Sequence, residues 1–222
     1  MDRQLIQTQT REILGDLRRE ARRDLDEIFP TDLDFVARNL IEVPVEFLPK
    51  IESEDSSVRT AGLIDRSQGI VISQEFSPQA QRFTLAHEIG HWVLHKGIIH
   101  HRDRPMATSR WVRRARSQEE QEADYFAAEL LMPFAAVRNR FLAKFGINEM
   151  RLDQLSPSFL MRLSRYAGQS YDESMFRSTR DLSIVLATCR AASSRESDAL
   201  CTNFDVSPVA MAIQLEDTGF VR

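Results

Sequence analysis

Apolar residues recur at helical spacing near the start of the chain, switch to alternation further on, and return to helical spacing around one short motif. In residues 7–28, Leu14, Leu17, Ala21, Leu25 and Ile28 fall on one side of an otherwise charged stretch, predicting an amphipathic helix. Phe29-Pro30 breaks it, and Thr31 is placed to cap a short helix reaching Leu40. Residues 41–48 alternate enough for a strand, and Pro44 within them suggests a sheet edge. Thr60-Ala61-Gly62-Leu63-Ile64 and Gly69-Ile70-Val71-Ile72-Ser73 read as two strands with a turn at 65–68. Ser77-Pro78 then supplies an N-cap and a proline at the first helical position. Phe83, Ala86, Ile89, Gly90 and Val93 form the buried stripe of that helix, and Gly97 is placed to end it.

A second long helix is expected over 118–132, with an acidic start at Glu119, Glu120, Glu122 and Asp124. Beyond Pro133 the pattern is mostly helical, with breaks at Ser156-Pro157, Gly168 and Ser193-Ser194. The expected class is α+β: a small antiparallel sheet packed on two helices, then a mostly helical C-terminal region. The expected organisation is an N-terminal helix in 1–30, a core in 31–134 and a helical region in 135–222.

The chemistry concentrates in His87-Glu88-Ile89-Gly90-His91, which reads H-E-x-x-H on the first of those helices. Residues four apart share a helix face, so both imidazoles can reach one metal ion, with Glu88 beside a bound water as general base. Zinc suits histidine nitrogen and lowers the pKa of its water toward ~7. A third ligand is needed. The position six residues after His91 is Gly97, and His95 lies about 6 Å further along the axis, too far to close the site. The ligand is therefore expected from helix 118–132. Glu120 and Asp124 share a face there with Ala127, Ala128 and Leu131, whereas Glu122 points nearly the opposite way with Phe126. Glu120 is the expected ligand, although Ser117-x-x-Glu120 also fits a capping box. Asp124 is expected to orient a ligand histidine through its other nitrogen. The alanines, with Gly90 opposite, predict a close approach of the two helices.

Two stretches carry a family resemblance. They are Arg82-Phe83-Thr84-Leu85-Ala86-His87-Glu88-Ile89-Gly90-His91-Trp92-Val93-Leu94-His95 and Glu120-Gln121-Glu122-Ala123-Asp124-Tyr125-Phe126-Ala127-Ala128-Glu129-Leu130-Leu131-Met132-Pro133. They closely resemble the ImmA/IrrE-type zinc metallopeptidases over about 31–133, with a weaker return at 203–221. The resemblance implies a gluzincin-like, zinc-dependent metalloendopeptidase whose substrate is a helix-turn-helix transcriptional repressor, cut to relieve repression. It implies His87, His91 and Glu120 as ligands and Glu88 as catalyst. The chain departs from the family between Pro133 and about Arg195, where the usual connection is much shorter.

Composition narrows the partners. The 222 residues carry 42% apolar content and a net charge of −4, giving no global attraction to nucleic acid or a membrane. No apolar run approaches the ~20 residues of a membrane span, and Met1-Asp2-Arg3-Gln4 opens no signal-peptide core, so a cytoplasmic enzyme is expected. Cys189 and Cys201 read as reduced, packed thiols. Residues 198–217 scan as a helix-turn-helix, but the second helix carries Gln214, Glu216 and Asp217 and no Lys or Arg. A recognition helix needs positive charge, so packing or protein docking is expected there rather than DNA binding. Arg102, Arg104, Arg110, Arg113, Arg114 and Arg116 form a basic run that either lines a cleft or is solvated. His100, His101 and Tyr125 are weaker candidates for oxyanion donors, and Trp92 and Trp111 for core or cleft-wall positions. The competing class is a non-proteolytic regulator that keeps the metal fold and acts by binding protein or DNA.

Overall fold

Alternating apolar residues on either side of Asp65 close a hairpin, and the hairpin is the scaffold on which the motif helix rests. The structure is a computed structural model and describes residues 1–24, 27–52, 59–97, 100–103 (backbone only), 117–190 and 198–222. They form two compact units, 1–131 and 132–222. In the first, β2 (Gly62–Asp65) pairs antiparallel with β3 (Gly69–Ser73), after β1 (Val45–Leu48) in the chain. Asp65 makes the turn: its Oδ1 accepts the Ser67 N–H at 2.8 Å, and its carbonyl accepts the Gln68 N–H at 3.0 Å. Gly69 is obligatory, since its φ is 122° and an added Cβ would lie 2.3 Å from the Pro44 carbonyl oxygen.

The sheet order is β1-β3-β2-β4, with β4 at His100–Asp103 antiparallel to β2. β1 takes the edge that Pro44 suggested. It pairs parallel with β3, so the sheet is mixed rather than wholly antiparallel. The cause is connectivity: the chain leaves β1 and returns through β2 before β3, which gives β1 and β3 the same direction. Ile64, Ile70 and Ile72 are buried from this sheet.

Helix α1 (Arg3–Ala21) begins earlier and ends earlier than its apolar pattern predicts. Asp2 caps its start by accepting the Leu5 N–H, and Arg22 ends it in the left-handed conformation at φ 52°. Thr31 is not the cap of α2 (Leu33–Phe35), which continues into a π-helical turn at Val36–Leu40. Asp32 caps it, and the buried Thr31 hydroxyl instead donates to the Leu130 carbonyl at 3.0 Å.

Helix α3 (Pro78–Leu94) starts as expected, with Ser77 Oγ accepting the Ala80 N–H. Against it lies α4 (Gln118–Leu131). A Cβ on Gly90 would stand 3.1 Å from Phe126 Cδ1 and 3.2 Å from Ala123 Cα, so the expected close approach exists. The residues nearest to it are Ala123 and Phe126. Phe126 was expected on the far side. It is buried because its ring packs against α3 at Gly90, so the face of α4 that α3 covers is wider than the acid-pair face. Phe126→Ala is expected to cost about 3–5 kcal/mol, read from the shift of a urea unfolding midpoint.

The second unit holds α5 (Phe134–Phe145), α6 (Pro157–Ala167), α7 (Thr179–Thr188), α8 (Leu200–Asn203) and α9 (Pro208–Asp217). Phe141 stacks on Phe220 and packs edge-on to Phe145, within a core that includes Leu182, Leu186 and Phe204. On α9, all six residues from 210 to 215 are buried, and Arg180 grips Glu216 through two nitrogens at 2.7 and 2.9 Å. The second helix of the helix-turn-helix-like end is therefore interior. Its apolar side chains pack instead of reading a groove. Cys189 and Cys201 are buried free thiols, and burial pushes the Cys189 thiol up.

Candidate metal centre

Residues 83–91 of α3 are buried around the whole circumference of the helix. The four-residue spacing puts His87 and His91 on one face of it, and their Nε2 atoms stand 3.0 Å apart. Glu120, in the first turn of α4, brings Oε1 to 3.2 Å of His91 Nε2 and Oε2 to 3.7 Å of His87 Nε2. Ser117 Oγ does accept the Glu120 N–H at 3.3 Å, as a cap would. The Glu120 carboxylate nonetheless turns to the imidazoles.

These three donors fit a metal. Groups bound at ~2.1 Å to one tetrahedral ion stand about 3.4 Å apart. The observed separations of 3.0, 3.2 and 3.7 Å bracket that value. Two nitrogens and a carboxylate oxygen are also a donor set that divalent ions such as zinc accept. Among the described residues, His87, His91 and Glu120 are the one such group.

The ligand candidates are held from behind. Asp124 Oδ1 lies 3.0 Å from His87 Nδ1, one turn along α4 from Glu120. His91 Nδ1 meets His95 Nδ1 at 2.9 Å, and His95 Nε2 meets Glu122 Oε2 at 3.0 Å. Glu122 thus faces the end of α3, not away from it as the helical wheel alone suggested. Glu122 and Phe126, four residues apart, both meet α3, so the face of α4 turned to α3 is wider than the acid pair alone. Burial pushes the Glu122 carboxyl up, but hydrogen bonds from His95 and Gln118 outweigh it and hold the group below its usual value. His95 and Glu122 stay outside the donor group, as expected, yet they contact it from behind. The four-residue spacing that put His95 too far along α3 to ligate also puts it beside His91.

Glu88 is fully buried under the hairpin. A Cβ on Gly62 of β2 would lie 2.4 Å from Glu88 Oε1 and 2.7 Å from Thr84 Cγ2, so the strand passes the carboxylate where only glycine fits. Arg66, in the hairpin turn, donates to the carbonyls of His91, Trp92 and His95 at 3.0–3.2 Å and stacks 4.3 Å above the Trp92 ring. It satisfies the open end of α3 and carries the positive charge that a helix C-terminus favours. No sequence signal pointed to it.

Other candidates fall away from this centre. Tyr125 accepts a hydrogen bond from Gln7 of α1 at 2.7 Å and lies under Arg3, so it belongs to the α1–α4 contact. Burial pushes its phenol up, and burial likewise raises the neighbouring Glu129 carboxyl. The side chains of His100, His101 and Arg102 lie outside the described residues, as do Arg104, Arg110, Trp111, Arg113, Arg114 and Arg116.

The model of the M78 peptidases, described as an IrrE N-terminal-like domain, matches residues 43–174. The chain belongs to the M78 peptidase family. The match covers more than half of the 222 residues and contains every donor of the candidate centre. It also runs on to residue 174, so much of the segment after Pro133 that the motifs alone set apart lies inside the M78 model. Among curated proteins none matches the chain significantly. Membership of a peptidase family and a His-His-Glu group at metal-binding spacing together point to a metallopeptidase. Among the described residues no helix is long and apolar enough to cross a membrane.

Proposed function

We propose that the chain is a cytoplasmic zinc-dependent metalloendopeptidase that cuts a helix-turn-helix transcriptional repressor. One observation carries the catalytic half of this reading: His87 Nε2, His91 Nε2 and the Glu120 carboxylate converge on one point on the helix that also bears Glu88. The repressor half rests on the resemblance to the ImmA/IrrE-type peptidases.

His87, His91 and Glu120 would hold the ion, and Asp124 would keep His87 with its proton on Nδ1 and its lone pair on Nε2. Zinc, when bound, acidifies a water molecule and polarises the scissile carbonyl. Glu88 would take a proton from the attacking water and later deliver it to the leaving amide nitrogen. Its burial in contact with β2 excludes bulk water from the carboxylate. Peptide cleavage is then balanced: one C–N bond breaks, one C–O bond forms, and the two protons of water end on the new carboxyl side and the new amine.

Glu120→Gln is expected to weaken zinc more than the about 10–100-fold typical of substituting an outer-shell partner. Chelator competition measures it. Equal affinity for variant and wild type would remove Glu120 from the ligand set. The substrate is tested by incubating the protein with the protein encoded beside it and sequencing fragments by mass spectrometry. Cleavage by wild type and not by Glu88→Gln supports the reading. A regulatory effect that survives Glu88→Gln without cleavage would favour a partner-binding role. The buried α9 argues against DNA as that partner.

A further inference from the structure

We propose that His95 and Glu122 form a relay that fixes His91 in the tautomer able to ligate a metal, which makes both of them positioning residues. The inference rests on the metal reading of His87, His91 and Glu120. The chain of contacts runs from Glu122 Oε2 to His95 Nε2 at 3.0 Å, and from His95 Nδ1 to His91 Nδ1 at 2.9 Å. His91 Nε2 then faces the centre, 3.2 Å from Glu120 Oε1.

Each contact dictates the next. A carboxylate accepts hydrogen bonds and donates none, and the other Glu122 oxygen already accepts from Gln118 Nε2 at 2.8 Å. His95 must therefore carry its proton on Nε2. A neutral imidazole has one N–H, so His95 Nδ1 is a lone pair. Across the 2.9 Å contact His91 Nδ1 has to be the donor. That leaves His91 Nε2 as a lone pair aimed at the metal position. In the reverse tautomer Nε2 carries hydrogen and cannot ligate.

The same task is done directly for His87 by Asp124, whose Oδ1 lies 3.0 Å from Nδ1. For His91 it passes through one more ring. His95 and Glu122 side chains are only 11% and 17% exposed, so water competes little for these contacts. His95 therefore serves the site although it lies too far along α3 to bind the ion itself.

The test uses the full chain, zinc as the probe, and two readouts. The first is zinc affinity by chelator competition. His95→Phe is expected to weaken zinc about 10–100-fold. His95→Gln is expected to recover most of it, because its amide oxygen can accept from His91 while its NH2 donates to Glu122. The second is imidazole nitrogen NMR of the zinc-loaded wild type, where His95 is expected to carry its proton on Nε2. This readout stands even if His95→Phe fails to fold by circular dichroism. A proton on His95 Nδ1 overturns the relay, as does a folded His95→Phe that binds zinc as tightly as wild type. If wild type itself binds no zinc, the metal reading fails first and the relay falls with it.

Discussion

Glu88→Gln is expected to keep the fold and the metal while lowering peptide cleavage by about 10²–10⁴-fold, the usual contribution of a general base. The amide has nearly the shape of the carboxylate but cannot take a proton from water. Because Glu88 is fully buried, its replacement by a smaller residue would confuse lost chemistry with a cavity. Gln avoids that. The measurement pairs turnover of a peptide substrate with zinc content and a thermal melt. Normal turnover at full zinc occupancy would assign the proton transfer to another group.

The second large effect is expected where no functional side chain exists. Gly62→Ala should lower cleavage about 100-fold, since a displacement of about 1 Å at a reacting group can cost that much. It should cost folding about 1–3 kcal/mol, the usual range for overpacking. The new methyl would stand 2.4 Å from Glu88 Oε1 and 2.7 Å from Thr84 Cγ2, so the carboxylate, the helix or the strand must shift. Zinc binding should change little, because Gly62 meets Glu88 and Thr84 and not the ligand atoms. A folded Gly62→Ala with wild-type turnover would mean that Glu88 does not need its present position.

These two residues show where sequence reading reached and where it stopped. Helix α3 was legible because its start is written locally, in Ser77-Pro78, and the shared face of His87 and His91 follows from a fixed four-residue spacing. The β2–β3 hairpin was legible from alternation about a polar turn. The parallel placement of β1 was not, since strand order depends on contacts between distant segments. The end of α1 at Ala21 was missed because apolar spacing continues past it to Ile28, while the break depends on the backbone at Arg22.

At the site, the helical wheel brought Glu120 and Asp124 to the histidines, where the structure also has them. It misjudged Glu122 because the face of α4 turned to α3 is wider than the acid pair alone, so a flank position can still reach the end of its neighbour. Gly62 carried a signal, a glycine inside a strand, but nothing local says which side chain approaches it.

The burial of residues 83–91 has a consequence for the time course of exchange with solvent. Fraying can release the ends of a helix, whereas amides in its enclosed middle reach water only when the surrounding unit opens. The backbone under both histidines and Glu88 is therefore expected to exchange slowly. With Arg66 also fastening the far end of that helix, the donors are presented on a support that local opening does not disturb. A rearrangement that admits a polypeptide is then expected in the segments around α3, while the candidate donors keep their register.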